Sequence, residues 1–134
     1  MKNILRVIAF TLILIFTLSF VGCKDEGPKY SKELVQGKLE DVINVIQRGG
    51  HLHTEDYVPG MSEESFEPVY DEISKVVKNQ TNIEIKLISD TQARDDDGNL
   101  FYSHEYEIKA NGKSVSVVVI YGDGENTLHS ISIK

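Results

Sequence analysis

At Asn82 the spacing of apolar residues changes, and with it the kind of secondary structure the chain can form. Before it, Val35, Leu39, Val42, Ile43 and Ile46 recur at helical steps, and Phe66, Val69, Tyr70, Ile73, Val76 and Val77 do the same. Apolar residues three and four apart line up along one face of a helix. Beyond Asn82, Ile83, Ile85 and Leu87 alternate with polar residues. That is the period of a strand with one buried face. Helices followed by strands predict an α+β domain.

Local signals set the boundaries. Ser31 can cap the first helix, Glu33 suits its first turn, and Gly49-Gly50 ends it, since glycine accepts the left-handed conformation beyond a helix. Gly37 lies inside that helix and costs it about 1 kcal/mol relative to alanine, so a close approach to the sheet is expected there. Ser65 is read as the cap of the second helix, which places Pro68 in its first turn. The first strand runs from Asn82 toward Arg94, and Asp95 to Asn99 form a turn. The second strand is Leu100 to Ala110, the third Lys113 to Tyr121, and the fourth Thr127 to Ile133, after a turn at Gly122 to Asn126. Tight connections make the strands antiparallel neighbours, giving the order α-α-β-β-β-β with the helices packed on one face of a meander.

Asn111-Gly112 fixes the register of the central hairpin, because both turn residues tolerate positive φ. Ala110 then faces Lys113, Ile108 faces Val115, Tyr106 faces Val117, His104 faces Val119 and Tyr102 faces Tyr121. A five-residue turn at Gly122 to Asn126 adds Thr127, His129, Ile131 and Ile133 to the same face, with His129 opposite Val119; a four-residue turn would bring Leu128 inward instead.

The chain begins with a different kind of signal. Lys2 and Arg6 precede an uncharged run from Val7 to Val21, followed by Gly22 and Cys23, the one cysteine in the sequence. A cationic start, an apolar stretch and a small residue before the cut make a secretory signal. The run falls short of the roughly 20 apolar residues of a spanning helix. Phe20-Val21-Gly22-Cys23 resembles the lipobox of bacterial lipoproteins, although that family prefers leucine where Phe20 stands. The resemblance implies cleavage before Cys23 and attachment of lipid (palmitate-type chains) to that residue. Residues 1–22 are thus expected to be a signal peptide, 23–29 a lipidated tether and 30–134 a single domain. Lys24-Asp25-Glu26 is similar to the acidic export tag of some bacterial surface lipoproteins, and with Gly27-Pro28 it also reads as an ordinary solvated linker.

Cleavage leaves 112 residues, enough for one domain. It removes Lys2 and Arg6 and no acid, so the formal charge moves from −7 to −9. Such a surface is repelled by nucleic-acid phosphates and anionic lipid head groups, which sets nucleic-acid binding aside. With Cys23 lipidated no thiol remains, so disulfides, cysteine–zinc sites and a cysteine nucleophile are excluded.

The two helices, the run from Tyr106 to Tyr121 and the closing Leu128 to Ile133 resemble the nuclear-transport-factor-two-like superfamily, also described as cystatin-like. The likeness covers about residues 30–134. It implies two N-terminal helices packed on a curved four-stranded antiparallel meander, with a pocket on the concave face. Some members use a histidine or carboxylate there as the base of isomerase or dehydratase chemistry. The inward row Tyr102, His104, Tyr106, Tyr121 and His129 is the candidate pocket in this chain. The same residues also serve as polar tips bonded at the edge of a core. His104 and His129, two strands apart, are about 9–10 Å from each other at the backbone, too wide for one zinc. No Asp or Glu has inward parity on strands two to four.

Two further clusters carry candidate ligands. His51 and His53 point the same way if extended, and Glu55 and Asp56 follow. Without a remote third ligand they read as an exposed loop, and no metal or other cofactor is expected. Asp95, Asp97 and Asn99 match the first ligands of a calcium loop, but Leu100 replaces its glycine and Tyr106 its closing glutamate. No phosphate loop or nucleophile elbow is present. The expected function is that of a non-catalytic, lipid-anchored envelope protein with a protein or envelope partner, of immunity or exclusion type on size and placement. The alternative is a small-ligand carrier or enzyme using the concave pocket.

Overall fold

The computed structural model describes residues 30–134; the signal run, Cys23 and the tether lie outside the described residues. Three helices precede four strands: α1 Lys32–Gln47, α2 Thr54–Tyr57, α3 Glu63–Val77, β1 Glu84–Arg94, β2 Leu100–Ala110, β3 Lys113–Gly122 and β4 Ser130–Ile133. The sheet is an antiparallel meander in the order β1-β2-β3-β4. This is the α+β architecture that the change of period at Asn82 predicts. Among the described residues no helix is long and apolar enough to cross a membrane.

The core lies between the helical layer and one face of the sheet. Val35, Leu39, Val42, Ile43 and Ile46 of α1 and Phe66, Val69, Ile73, Val76 and Val77 of α3 are buried against Tyr106, Ile108, Val117, Val119, Tyr121 and Ile131. Each fully buried aliphatic side chain contributes about 1.5–3 kcal/mol, and this layer is the main source of stability in a domain without disulfides.

Capping follows the sequence at one helix and departs from it at the other. Ser31 caps α1, its hydroxyl accepting from the Leu34 N–H at 3.0 Å. At α3 the cap is Ser62 and not Ser65: the Ser62 hydroxyl accepts from the Ser65 N–H at 3.1 Å. Starting three residues earlier brings Glu63 and Glu64 into the first turn, where the helix dipole favours acids. Pro68 consequently sits inside the helix on its exposed side, where the carbonyl that lost its partner meets water.

Gly37 departs from expectation too. A Cβ built there meets nothing within 4 Å, so no close approach to the sheet explains the glycine. Gly37→Ala is expected to raise the unfolding free energy by about 0.5–1 kcal/mol, through helix propensity and a less flexible unfolded chain. Urea unfolding checks this, and a destabilised variant would contradict it.

The Asn111-Gly112 turn has positive φ at both residues, 50° and 74°. All five expected β2–β3 pairs follow from it, from Ala110↔Lys113 to Tyr102↔Tyr121. At the Asp95–Asn99 turn, the Asp95 carboxylate accepts from the Asp97 and Asn99 N–H groups at 3.0 and 2.8 Å and from the Asn99 side-chain amide at 3.0 Å. These bonds, that from the Asn99 side chain first, hold the carboxyl below its usual range. Its oxygens serve the turn.

The β3–β4 connection is the main correction. Val119 faces Ile131, not His129, and Val117 faces Ile133. Strand β4 begins only at Ser130; Leu128 is fully buried, whereas His129 is exposed with its ring 5.4 Å from that of Phe101. Burial of the leucine outweighs any gain from burying an imidazole. Tyr121 donates its hydroxyl to the Glu125 carbonyl and so shapes this connection. Ile131 and Ile133 keep the inward parity expected of them, but His129 leaves the row.

Candidate functional site

Four of the five candidate residues come together under the N-terminus of α1, and a residue absent from the sequence reading joins them. Tyr30, just ahead of the Ser31 cap, lays its ring on Tyr102 with centroids 3.6 Å apart and planes 4° from parallel. Its hydroxyl meets His104 Nε2 at 2.5 Å, and the other ring nitrogen, Nδ1, meets the Tyr106 hydroxyl at 3.1 Å. His104 and Tyr106 have no solvent exposure. Tyr121 is also buried, with its ring 6.3 Å from that of Tyr30. The Tyr102 hydroxyl lies 3.5 Å from Asp123 Oδ1 at the rim. His129 alone stands apart, on the exposed side of the connection before β4.

A neutral imidazole has one N–H and one lone pair. One phenol therefore donates to the bare nitrogen and the other accepts from the N–H. Both sites of His104 are spent inside the protein, and no buried side-chain polar atom among the described residues lacks a partner.

A carboxylate also reaches this face, by a route that strand parity alone hides. Leu87 pairs with Tyr106, but a bulge between Leu87 and Ser89 shifts the register, so that Asp90 pairs with His104. A bulge inserts one residue and turns those beyond it to the opposite face. Asp90 is thereby brought to the His104 side, where Lys32 of α1 pairs with it at 2.8 Å. The Lys32 ammonium, by hydrogen bond and by charge, holds the Asp90 carboxyl below its usual range.

Burial governs the titration of the cluster. It pushes the Tyr106 hydroxyl up to about 12, and raises Tyr30 with Asp90 adding to the rise. It lowers His104 from its ordinary 6.5, against the opposing charge of Asp90. The folded protein therefore holds His104 neutral at a pH where the unfolded chain takes up a proton. Stability from this group is complete above about pH 6.5 and declines as pH falls from there toward the depressed folded value. Urea midpoints measured from about pH 7.5 down to pH 5 are expected to fall less steeply in His104→Gln than in the parent. Parallel slopes would contradict the assignment.

Cavities lined by described residues are found away from this cluster. One of about 680 Å³ is lined by His51, Leu52, Glu63, Phe66, Glu67 and Tyr70 among others, between the end of α1 and the start of α3. His51 and His53, left in the sequence without a third partner, meet Glu63 there at 3.5 and 3.6 Å. Glu55 and Asp56 lie in the first turn of the short helix α2. No local sequence signal joins Glu63 to the histidines; the packing of α3 against the loop does.

The chain matches no family model, no curated protein and no solved structure.

Proposed function

We propose that this chain is a lipid-anchored, non-catalytic protein of the bacterial cell envelope, exported by residues 1–22, held to a membrane through Cys23, and engaged with a protein or envelope partner. The observation that carries the reading is how the candidate concave site is used. His104 is fully buried, both its nitrogens are bonded to phenols, and Tyr30 stacks over the adjacent Tyr102. A general base needs a free lone pair within reach of a substrate proton, and this imidazole presents none to solvent. The acidic balance argues against nucleic acid as partner. The outer sheet face, where Val118 and Ile120 stand beside Ser132 and Ser130, is the surface this reading assigns to contact. The helices before a four-stranded meander, with a bulge in β1, support placing the domain with the nuclear-transport-factor-two-like or cystatin-like folds.

One observation favours the alternative, a small-ligand carrier or isomerase-like enzyme: the bulge delivers the Asp90 carboxylate beside His104. For that chemistry Tyr30 would have to leave His104, and both the stacking and the hydrogen bond oppose it.

The test is recovery of the full chain from membranes, with Cys23→Ser alongside. The parent is expected in the membrane fraction without residues 1–22, carrying labelled palmitate and a specific companion protein, and the variant to take up no palmitate and to keep residues 1–22. A small molecule that co-purifies without any companion would reverse the ranking. Unprocessed parent with a free thiol would remove the lipid anchor.

A further inference from the structure

We propose that His51, His53 and Glu63 form a binding site for a divalent transition-metal ion of the zinc class, with an open coordination position facing the adjoining cavity.

The loop that carries the histidines is fixed at both ends. Gly49, at a φ of 70°, closes α1; the Gly50 N–H bonds the Val45 carbonyl at 3.0 Å, and the Tyr70 hydroxyl donates to the Gly50 carbonyl at 2.7 Å. Leu52, 4% exposed, and buried Thr54 hold the segment inward. His51 and His53 flank Leu52 and emerge on the outside, with ring centroids 4.6 Å apart and planes at 85°. Opposite them the Ser62 cap fixes the start of α3, and Glu63 is its first residue.

The distances suit an ion better than they suit direct bonding. Glu63 Oε1 lies 3.5 Å from His51 Nε2 and 3.6 Å from His53 Nδ1, and the three donor atoms all lie within 4.8 Å of one another. Good N–H···O bonds are shorter, at about 2.7–3.2 Å. Two ligands on a tetrahedral ion with bonds of about 2.0–2.1 Å stand roughly 3.3–3.4 Å apart. Both histidine–glutamate distances are already close to that edge. The remaining adjustment, between the two imidazoles, falls on exposed side chains that are free to rotate.

Donor chemistry narrows the ion. Two imidazoles and one carboxylate suit zinc, copper or nickel, whereas calcium and magnesium call for oxygen ligands throughout. Three protein ligands leave a position for water or another donor. The cavity of about 680 Å³ beside them is also lined by Glu64, Glu67 and Asp71, whose charge concentrates cations at its mouth. The sequence expectation of no metal rested on the missing third ligand, and Glu63 supplies it. This site is separate from the His104 cluster and independent of the lipid anchor.

Zinc chloride titrated by calorimetry into the chelator-stripped, detergent-solubilised full chain tests the site. A Cys23→Ser background keeps the single thiol from competing. One equivalent is expected to bind, and zinc at about a hundred times Kd should raise the melting temperature by roughly 10 °C. His51→Ala, His53→Ala and Glu63→Gln are each expected to weaken binding about tenfold or more, and His129→Ala to leave it unchanged. Cobalt should give a visible ligand-field band that the double histidine variant lacks. The changed side chains are exposed, so equal melting of all variants in chelator verifies folding. Absence of zinc binding in the parent, or undiminished binding in the double histidine variant, would overturn the assignment.

Discussion

His104→Ala is expected to lower the unfolding free energy by about 3–4 kcal/mol. Two costs combine. Truncating a fully buried ring leaves a cavity that close-packed neighbours fill only in part, at about 2–5 kcal/mol for comparable deletions. The buried Tyr106 hydroxyl also loses its partner, and an orphaned polar group costs about 1–3 kcal/mol. Partial relaxation and water entry keep the total below the sum. For a domain of this size the melting temperature should fall by roughly 15 °C. His104→Gln, which keeps one donor and one acceptor, should lose about half as much. Tyr30→Phe should cost only about 1 kcal/mol, because Tyr30 is half-exposed and water can take over part of its role. A loss below about 1 kcal/mol for the alanine variant would show that the two phenols find other partners and that His104 does not organise this end of the core.

Gly60→Ala is expected to cost about 2–3 kcal/mol, while Gly122→Ala costs less than about 1 kcal/mol. Both positions are crowded, and the difference lies in what can move. A Cβ at Gly60 would come within 2.1 Å of the His129 carbonyl oxygen and 3.1 Å of its carbon. That backbone is held: the His129 N–H bonds the Ile120 carbonyl at 2.8 Å, and β4 starts at the next residue. The Met61 sulfur, 3.3 Å from the Ile131 nitrogen, ties the same two segments together. At Gly122 the nearest atoms, at 2.5 Å, are the carboxyl end of exposed Glu125, which can swing into solvent. Thermal melts of the two variants decide the matter, and equal midpoints would mean that the approach of residue 60 to β4 is not structural.

What could be read from the sequence, and what could not, divides by whether a local signal leaves the chain any slack. Asn111-Gly112 leaves none: a two-residue turn with positive φ at both positions fixes every pair along β2 and β3, His104↔Val119 included. Gly122 to Asn126 leaves a great deal, since a turn rich in glycine and acid accepts several lengths. The contacts that chose one length there are tertiary: the Tyr121 hydroxyl on the Glu125 carbonyl and buried Leu128. The β1 bulge had no glycine or proline to mark it. It places Ile88, 47% exposed, in solvent, so an apolar residue sits where alternation gives no warning. The same shift hides Asp90 from the alternation. Tyr30 belongs to no periodic segment, and its partners lie far along the chain. Ser62 and Ser65 both precede a helical stripe, and only the two glutamates that follow Ser62 distinguish them. The candidate row was thus legible up to the end of β3, and the groups that complete its surroundings were not.

The stacking of Tyr30 on Tyr102 bears on how the domain stands relative to its support. Tyr30 is the seventh residue after Cys23, and a chain of that length reaches no farther than about 25 Å. With the sulfur anchored as proposed, the leash is fastened at the Tyr102 pole of the sheet rather than at a freely swinging end. Ala110 lies eight residues farther along β2, a rise of about 27 Å. The hairpin tip at Asn111-Gly112 therefore forms the opposite pole, and under the proposed anchor it is the end farthest from the point where the leash joins the domain.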